Sequence, residues 1–159
     1  MEEKKALLKE IEERRKGWTV SSFTNAEAFD LGNYIYRKAL SEGNPFVVSV
    51  TRNRQRLFYA ACEGTSYEND HWIMRKENSV YFFRKSSYEM NLSMAIRDTN
   101  IWDRYGLPRD QYVQAGGCIP ISAEGFGMIG TAAVSGMSQA EDHAFVTEAV
   151  EEWIKEKTR

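Results

Sequence analysis

Asp142 and His143 stand side by side in this sequence and are the pair best suited to acid–base or iron chemistry near neutral pH. They follow Ser138 and Glu141, whose spacing reads as a capping box at a helix start. An acid in that first turn is favoured by the positive end of the helix. Asp142 lies three and four residues before Phe145 and Val146, so it faces the side of the helix that carries its apolar stripe. His143, three before Val146, falls at the border of that face. It could shuttle a proton or ligate haem iron, and the plainer alternative is a structural histidine beside an aspartate that caps a turn.

Lys76 is the next residue of interest. It shares a broad face with Trp72, Ile73, Val80, Phe83, Ser87 and Met90 in a segment read as one long helix opening at Asn69 or Asp70. A lysine on an apolar face pairs with a carboxylate, snorkels, or touches a ligand. Gly116-Gly117 precedes a strand and is a turn needing positive φ, or a place where backbone N–H groups reach a ligand carboxylate. It fits neither the dinucleotide fingerprint nor the phosphate-loop pattern, which put glycines at a helix start. Ser135, in Val-Ser-Gly, lacks the nucleophile elbow of a serine hydrolase. Cys62, His71, Cys118 and His143 are spaced unlike any metal site. Cys118 has no local basic run to activate its thiol.

The elements that must hold these residues are readable from pattern. Residues 2 to 16 form an amphipathic helix with Leu7, Leu8 and Ile11 as its stripe. Thr24 and Glu27 open a second helix, with Ala28, Leu31, Gly32, Ile35 and Ala39 on one side. Phe46 to Val50 and Leu57 to Cys62 read as a hairpin whose connection carries Arg52, Arg54 and Arg56, either an anion clamp or a solvated tip. Pro108 suits the first position of a short helix. Ile119 and Ile121 share one face of a strand, in which Pro120 asks for an edge. The polar segment Ser122 to Gly127 turns the chain into a strand from Met128 to Val134, and Gly130, Ala132 and Ala133 there admit a close neighbour. A last helix presents Phe145, Val146, Ala149, Val150, Trp153 and Ile154.

Gly-Gly-x-x-Pro-Ile from Gly116, Gly-x-Gly-x-Ile-Gly ending at Gly130, Val134-Ser135-Gly136 and Asp142-His143 together resemble the haem-degrading-domain superfamily of GlcG/HbpS-like proteins. Asn69-Asp70-x-Trp72-Ile73-x-Arg75-Lys76-x-Asn78 and Ser86-Ser87 resemble one branch of it. The likeness runs from about Phe23 onward. It implies a profilin-like α+β fold, a central antiparallel sheet flanked by helices. It also implies an oligomeric module for a small ligand or for haem or a related tetrapyrrole. A haem-degrading or redox enzyme, and an interaction protein serving a partner, are the alternatives. Cys118 stands where the resemblance calls for a small polar residue.

The totals set the frame. A chain of 159 residues is a single domain, 1–159, with 1–22 as an N-terminal helical extension. A formal net charge of -2 lacks the basic excess of a nucleic-acid binder. The sequence offers no run of about 20 apolar residues to span a bilayer. Met-Glu-Glu-Lys-Lys is unlike a signal peptide, and the expectation is a cytoplasmic protein with Cys62 and Cys118 reduced. Four Trp, eight Tyr and the all-round apolar run Val80 to Phe83 point to a homo-oligomer. The expected pocket lies where Gly116-Gly117, the Val134-Ser135-Gly136 exit and the start of the last helix meet. His143 is the titratable base expected beside it, Asp142 fixes the turn, and Trp72 and Lys76 complete the wall.

Overall fold

Side chains alternate across each strand, and here the two faces are chemically different. Val48 and Val50, Ile119 and Ile121, and Ala132 and Val134 join the main apolar core. The opposite face carries Ser49, Thr51, Cys118, Thr131, Ala133 and Ser135, all buried.

The computed structural model describes residues 1–159. In chain order the elements are α1 (Glu2–Arg15), β1 (Thr19–Val20), α2 (Asn25–Glu42), β2 (Val47–Arg52), β3 (Gln55–Ala61), α3 (Tyr67–Phe83), α4 (Ser87–Ile96), α5 (Ile101–Tyr105), β4 (Cys118–Ala123), β5 (Gly127–Ser135) and α6 (Gln139–Lys157). One sheet of five strands runs β1-β4-β5-β2-β3. Its four longer strands are antiparallel neighbours, as expected for an α+β chain. The central sheet is antiparallel as expected, and the two-residue edge strand β1 adds one parallel pairing to β4. The first 22 residues therefore hold a helix and an edge strand, with Trp18 and Val20 buried in the core. Because β1 pairs only with Ser122 and Ala123, Pro120 sits where β4 is still an edge and lacks no ladder bond.

The α2–α6 layer covers the apolar face with Leu31, Ile35, Phe145, Val146 and Val150. Thr24 and Glu27 form the reciprocal box that starts α2. Ser138 caps α6 by accepting the Glu141 N–H at 3.2 Å. The α3 helix covers the other face, where Thr51 bridges Tyr81 and Thr131 at 2.6 Å each and Ser49 donates to Glu77 at 2.7 Å.

Several expectations are corrected. The long helix is two helices, α3 and α4, separated at Arg84, whose φ of 59° is left-handed. Its start is Ser66, with Asn69 as the reciprocal partner, and not Asn69 or Asp70. A second box, Ser86 with Glu89, opens α4. The hairpin connection is only Asn53-Arg54, both at positive φ, so Thr51 and Arg52 belong to β2. Pro108 begins a hydrogen-bonded turn and no helix. The short helix is instead α5, capped by Asn100 through the Asp103 N–H at 2.8 Å.

Candidate functional site

Asn69, one turn into α3, does two jobs. Its Oδ1 accepts the Ser66 N–H at 2.9 Å, which fixes the helix start. Its Nδ2 donates to Ser135 Oγ at 3.3 Å, which ties α3 to the exit of β5. Two turns further along, Lys76 points to the same exit. Its Nζ donates to the Val134 carbonyl and to Asp142 Oδ2, both at 3.1 Å. Each of these two charged side chains is 3% exposed. The other Asp142 oxygen accepts the Met137 N–H at 2.8 Å, so one carboxylate closes the β5–α6 loop and neutralises the lysine.

The double glycine is what makes room for this pair. Gly117 has φ 129°, and a Cβ there would stand 2.6 Å from both Lys76 Nζ and the Val134 oxygen. At Gly116 a Cβ would stand 2.4 Å from the Gln139 carbonyl. The Gly116 N–H donates to Gln139 Oε1 at 3.1 Å, which binds the turn to the first residue of α6.

A cleft of about 310 Å³ opens above this floor. Trp72, Lys76, Gly116, Ser135 and Asp142 line it, with Glu68, Asn69, Ala115, Gly136, Met137 and Gln139. Five of the seven residues expected at a pocket are thus brought together. Gly117 lies beneath, against Lys76. His143 is directed elsewhere: one residue on a helix turns the side chain by about 100° away from Asp142. Its ring is 6% exposed and packs 5.0 Å from Tyr88 and 6.4 Å from Trp18. Its Nδ1 is buried with no hydrogen-bond partner. Asn69 was legible as a cap and as part of the branch motif, and Gln139 and Met137 carried no signal at all, because nothing in their type marks a polar rim.

Burial lowers the Lys76 ammonium, opposed by the attraction of Asp142. Burial raises Asp142, opposed by Lys76 and by backbone donors. In both groups the penalty of burial outweighs the attraction of the partner's charge. His143 is pushed down to about 4, first by burial and then by the Arg14 charge, so its ring is neutral at pH 7. Burial pushes the Cys118 thiol well up, which makes it a poor nucleophile. The three hairpin arginines diverge: Arg52 donates to the Phe23 carbonyl, Arg54 lies over Tyr81 and Arg56 over Tyr59. They form no clamp. No helix is long and apolar enough to cross a membrane.

The chain is 36% identical to a UPF0303 protein of Streptomyces avermitilis over 151 residues, covering 95% of this chain and 93% of that relative. Its fold is similar to the crystal structure of the Ybr137w protein, with a TM-score of 0.88, 25% identity, and coverage of 96% of this chain and 90% of that one. It is also similar in fold to a PduOC:heme complex, with a TM-score of 0.67, 15% identity, and coverage of 85% and 95%. The model of the family described as "Haem degrading protein HbpS-like" matches residues 23–151, and the chain belongs to that family.

Proposed function

We propose that this chain is a small-ligand-binding module whose site is the cleft between the start of α3, the β5 exit and the start of α6. The Lys76 ammonium carries the reading. It has three N–H groups, only two are taken by Val134 and Asp142, and it lines the cleft. Further donors surround it. Ser135 accepts from Asn69 and keeps its own hydrogen to donate, and Gln139 gives its oxygen to Gly116 and keeps its NH2. Such a cleft suits a compact ligand rich in acceptor oxygens. A screen of carboxylate, ketone and amide fragments by two-dimensional amide NMR tests this. Shifts should gather at Gly116, Met137 and Gln139, and hits gathered elsewhere, or none, would overturn it.

Haem is the second reading, favoured by the family and by the haem named with the PduOC neighbour. The cleft itself does not fit it. A porphyrin needs a broad apolar slot and an axial ligand, and here only Trp72, Ala115 and Met137 are apolar. His143 lies outside, against Tyr88 and Trp18. Haem would then bind on another surface or between copies of the chain. Haemin titration decides: a saturable Soret shift lost in His143→Ala supports iron ligation by that residue, and its persistence excludes it.

We further propose that the protein is a homo-oligomer in the cytoplasm. Phe82 and Tyr105, 51% and 40% exposed, are the apolar surface that supports assembly.

A further inference from the structure

We propose that Lys76 is a carbonyl-capturing amine, which forms an imine with a small neutral aldehyde or ketone seated in the cleft. This rests on the ligand-binding reading above and names its substrate class. The geometry of the ammonium points to it. Two N–H bonds are fixed on acceptors, the Val134 carbonyl and Asp142 Oδ2. The remaining position is the one left to meet a ligand in the cleft that Lys76 lines. When the proton at that position leaves to solvent, both internal hydrogen bonds persist and the lone pair occupies its place. Burial favours this loss, and Asp142 opposes it.

The chemistry balances within the site. The free amine adds to the carbonyl carbon, the C=O π pair moves to oxygen, and a carbinolamine forms. Its hydroxyl leaves as water after taking a proton, and the nitrogen lone pair closes the C=N bond. The sum is an ammonium plus a carbonyl compound giving an iminium plus one water, with no oxidant or reductant. The iminium carries the same single positive charge as the ammonium it replaces. Asp142 therefore has a cationic partner before and after the reaction and lacks one only at the free-amine and carbinolamine stages; the single N–H of the iminium stays with Asp142 and releases the Val134 carbonyl. This also explains the preference for a neutral carbonyl compound: the floor of the cleft is already balanced. Gly117 is required because any Cβ there would displace the nitrogen.

The experiment uses the full chain, hydroxyacetone and sodium cyanoborohydride, which fixes an imine as a stable secondary amine. Peptide mapping by mass spectrometry then ranks the lysines. Lys76 should label several-fold faster than exposed Lys4 and Lys155, because the cleft holds the carbonyl compound beside its free N–H position and burial lowers its ammonium. Labelling of Lys76 no faster than Lys4 overturns the proposal, and no variant needs to fold for that result. Amide NMR with hydroxyacetone and with propane-1,2-diol, which lacks the carbonyl, separates the two claims. Shifts at Gly116 and Gln139 with both compounds but no Lys76 adduct end the imine and leave the binding site. Absence of both shifts and adduct ends both.

Discussion

Burial, and not a hydrogen bond, sets the charge of His143. Its pKa falls from 6.5 to about 4 in the folded protein, so the unfolded chain binds a proton that the folded one refuses between those values. Stability from this residue is complete above pH 6.5 and declines as pH falls toward 4, by about 3 kcal/mol in all. Urea midpoints across that range should therefore fall less steeply in His143→Gln than in the wild type. Equal slopes would show that the ring is hydrated and charged in the native state. Gly117 is the second residue with a large expected effect. Gly117→Ala combines a left-handed φ with a collision at Lys76 Nζ and the Val134 oxygen, and should cost more than about 2 kcal/mol. A thermal midpoint within a degree of wild type would contradict that. The inward direction of Asp142 was legible from its spacing to Phe145 and Val146, and its partner Lys76 from the oddity of a lysine on an apolar face. Their meeting was not, since 66 residues separate them and only the sheet brings them together.

At the scale of elements, caps were the most legible signals and continuity the least. Thr24 and Ser138 start α2 and α6 as their spacing foretold. The apolar face from Trp72 to Met90 reads as one helix because no glycine or proline interrupts it. Arg84 breaks it nonetheless, since the buried Ser86–Glu89 box stabilises a fresh start more than one extra turn would. Glu89 is the joint of this region. At 1% exposure it accepts the Ser86 N–H at 2.7 Å and Arg15 Nε at 3.0 Å, so it holds both the α4 start and the end of α1. Ser138→Ala and Thr24→Ala should each lower stability by about 1 kcal/mol in denaturant titrations. Glu89→Ala should lower it by about 2 kcal/mol or more, because charged hydrogen bonds are lost from a buried place. A Glu89 variant no weaker than the cap variants would mean that α1 is held by Leu7, Leu8, Ile11 and the Arg14–Glu151 pair without help from Glu89.

On the scale of the whole molecule, the α+β class followed from the order of helical and alternating segments, but the strand order β1-β4-β5-β2-β3 did not. Register depends on which hairpins adjoin, and β1, at two residues, is too short to show any alternation. The exposed pair Phe82 and Tyr105, with ring centroids 6.3 Å apart, lies at the far end of α3 from the cleft. Phe82→Glu should convert an assembled wild type to a smaller species in sedimentation velocity at tens of micromolar, without loss of cleft shifts. A wild type that sediments only as monomer would remove this surface from consideration. The two-faced sheet has an evolutionary side. Packing on the α2–α6 face is set by interlocking apolar side chains, whereas the α3 face mixes a small apolar cluster around Ile73 and Val80 with short polar side chains. Exchange of the hydroxyls beneath α3 should therefore disturb fewer apolar contacts than any exchange in the opposite layer, which leaves the α3 side of the sheet the cheaper one for drift.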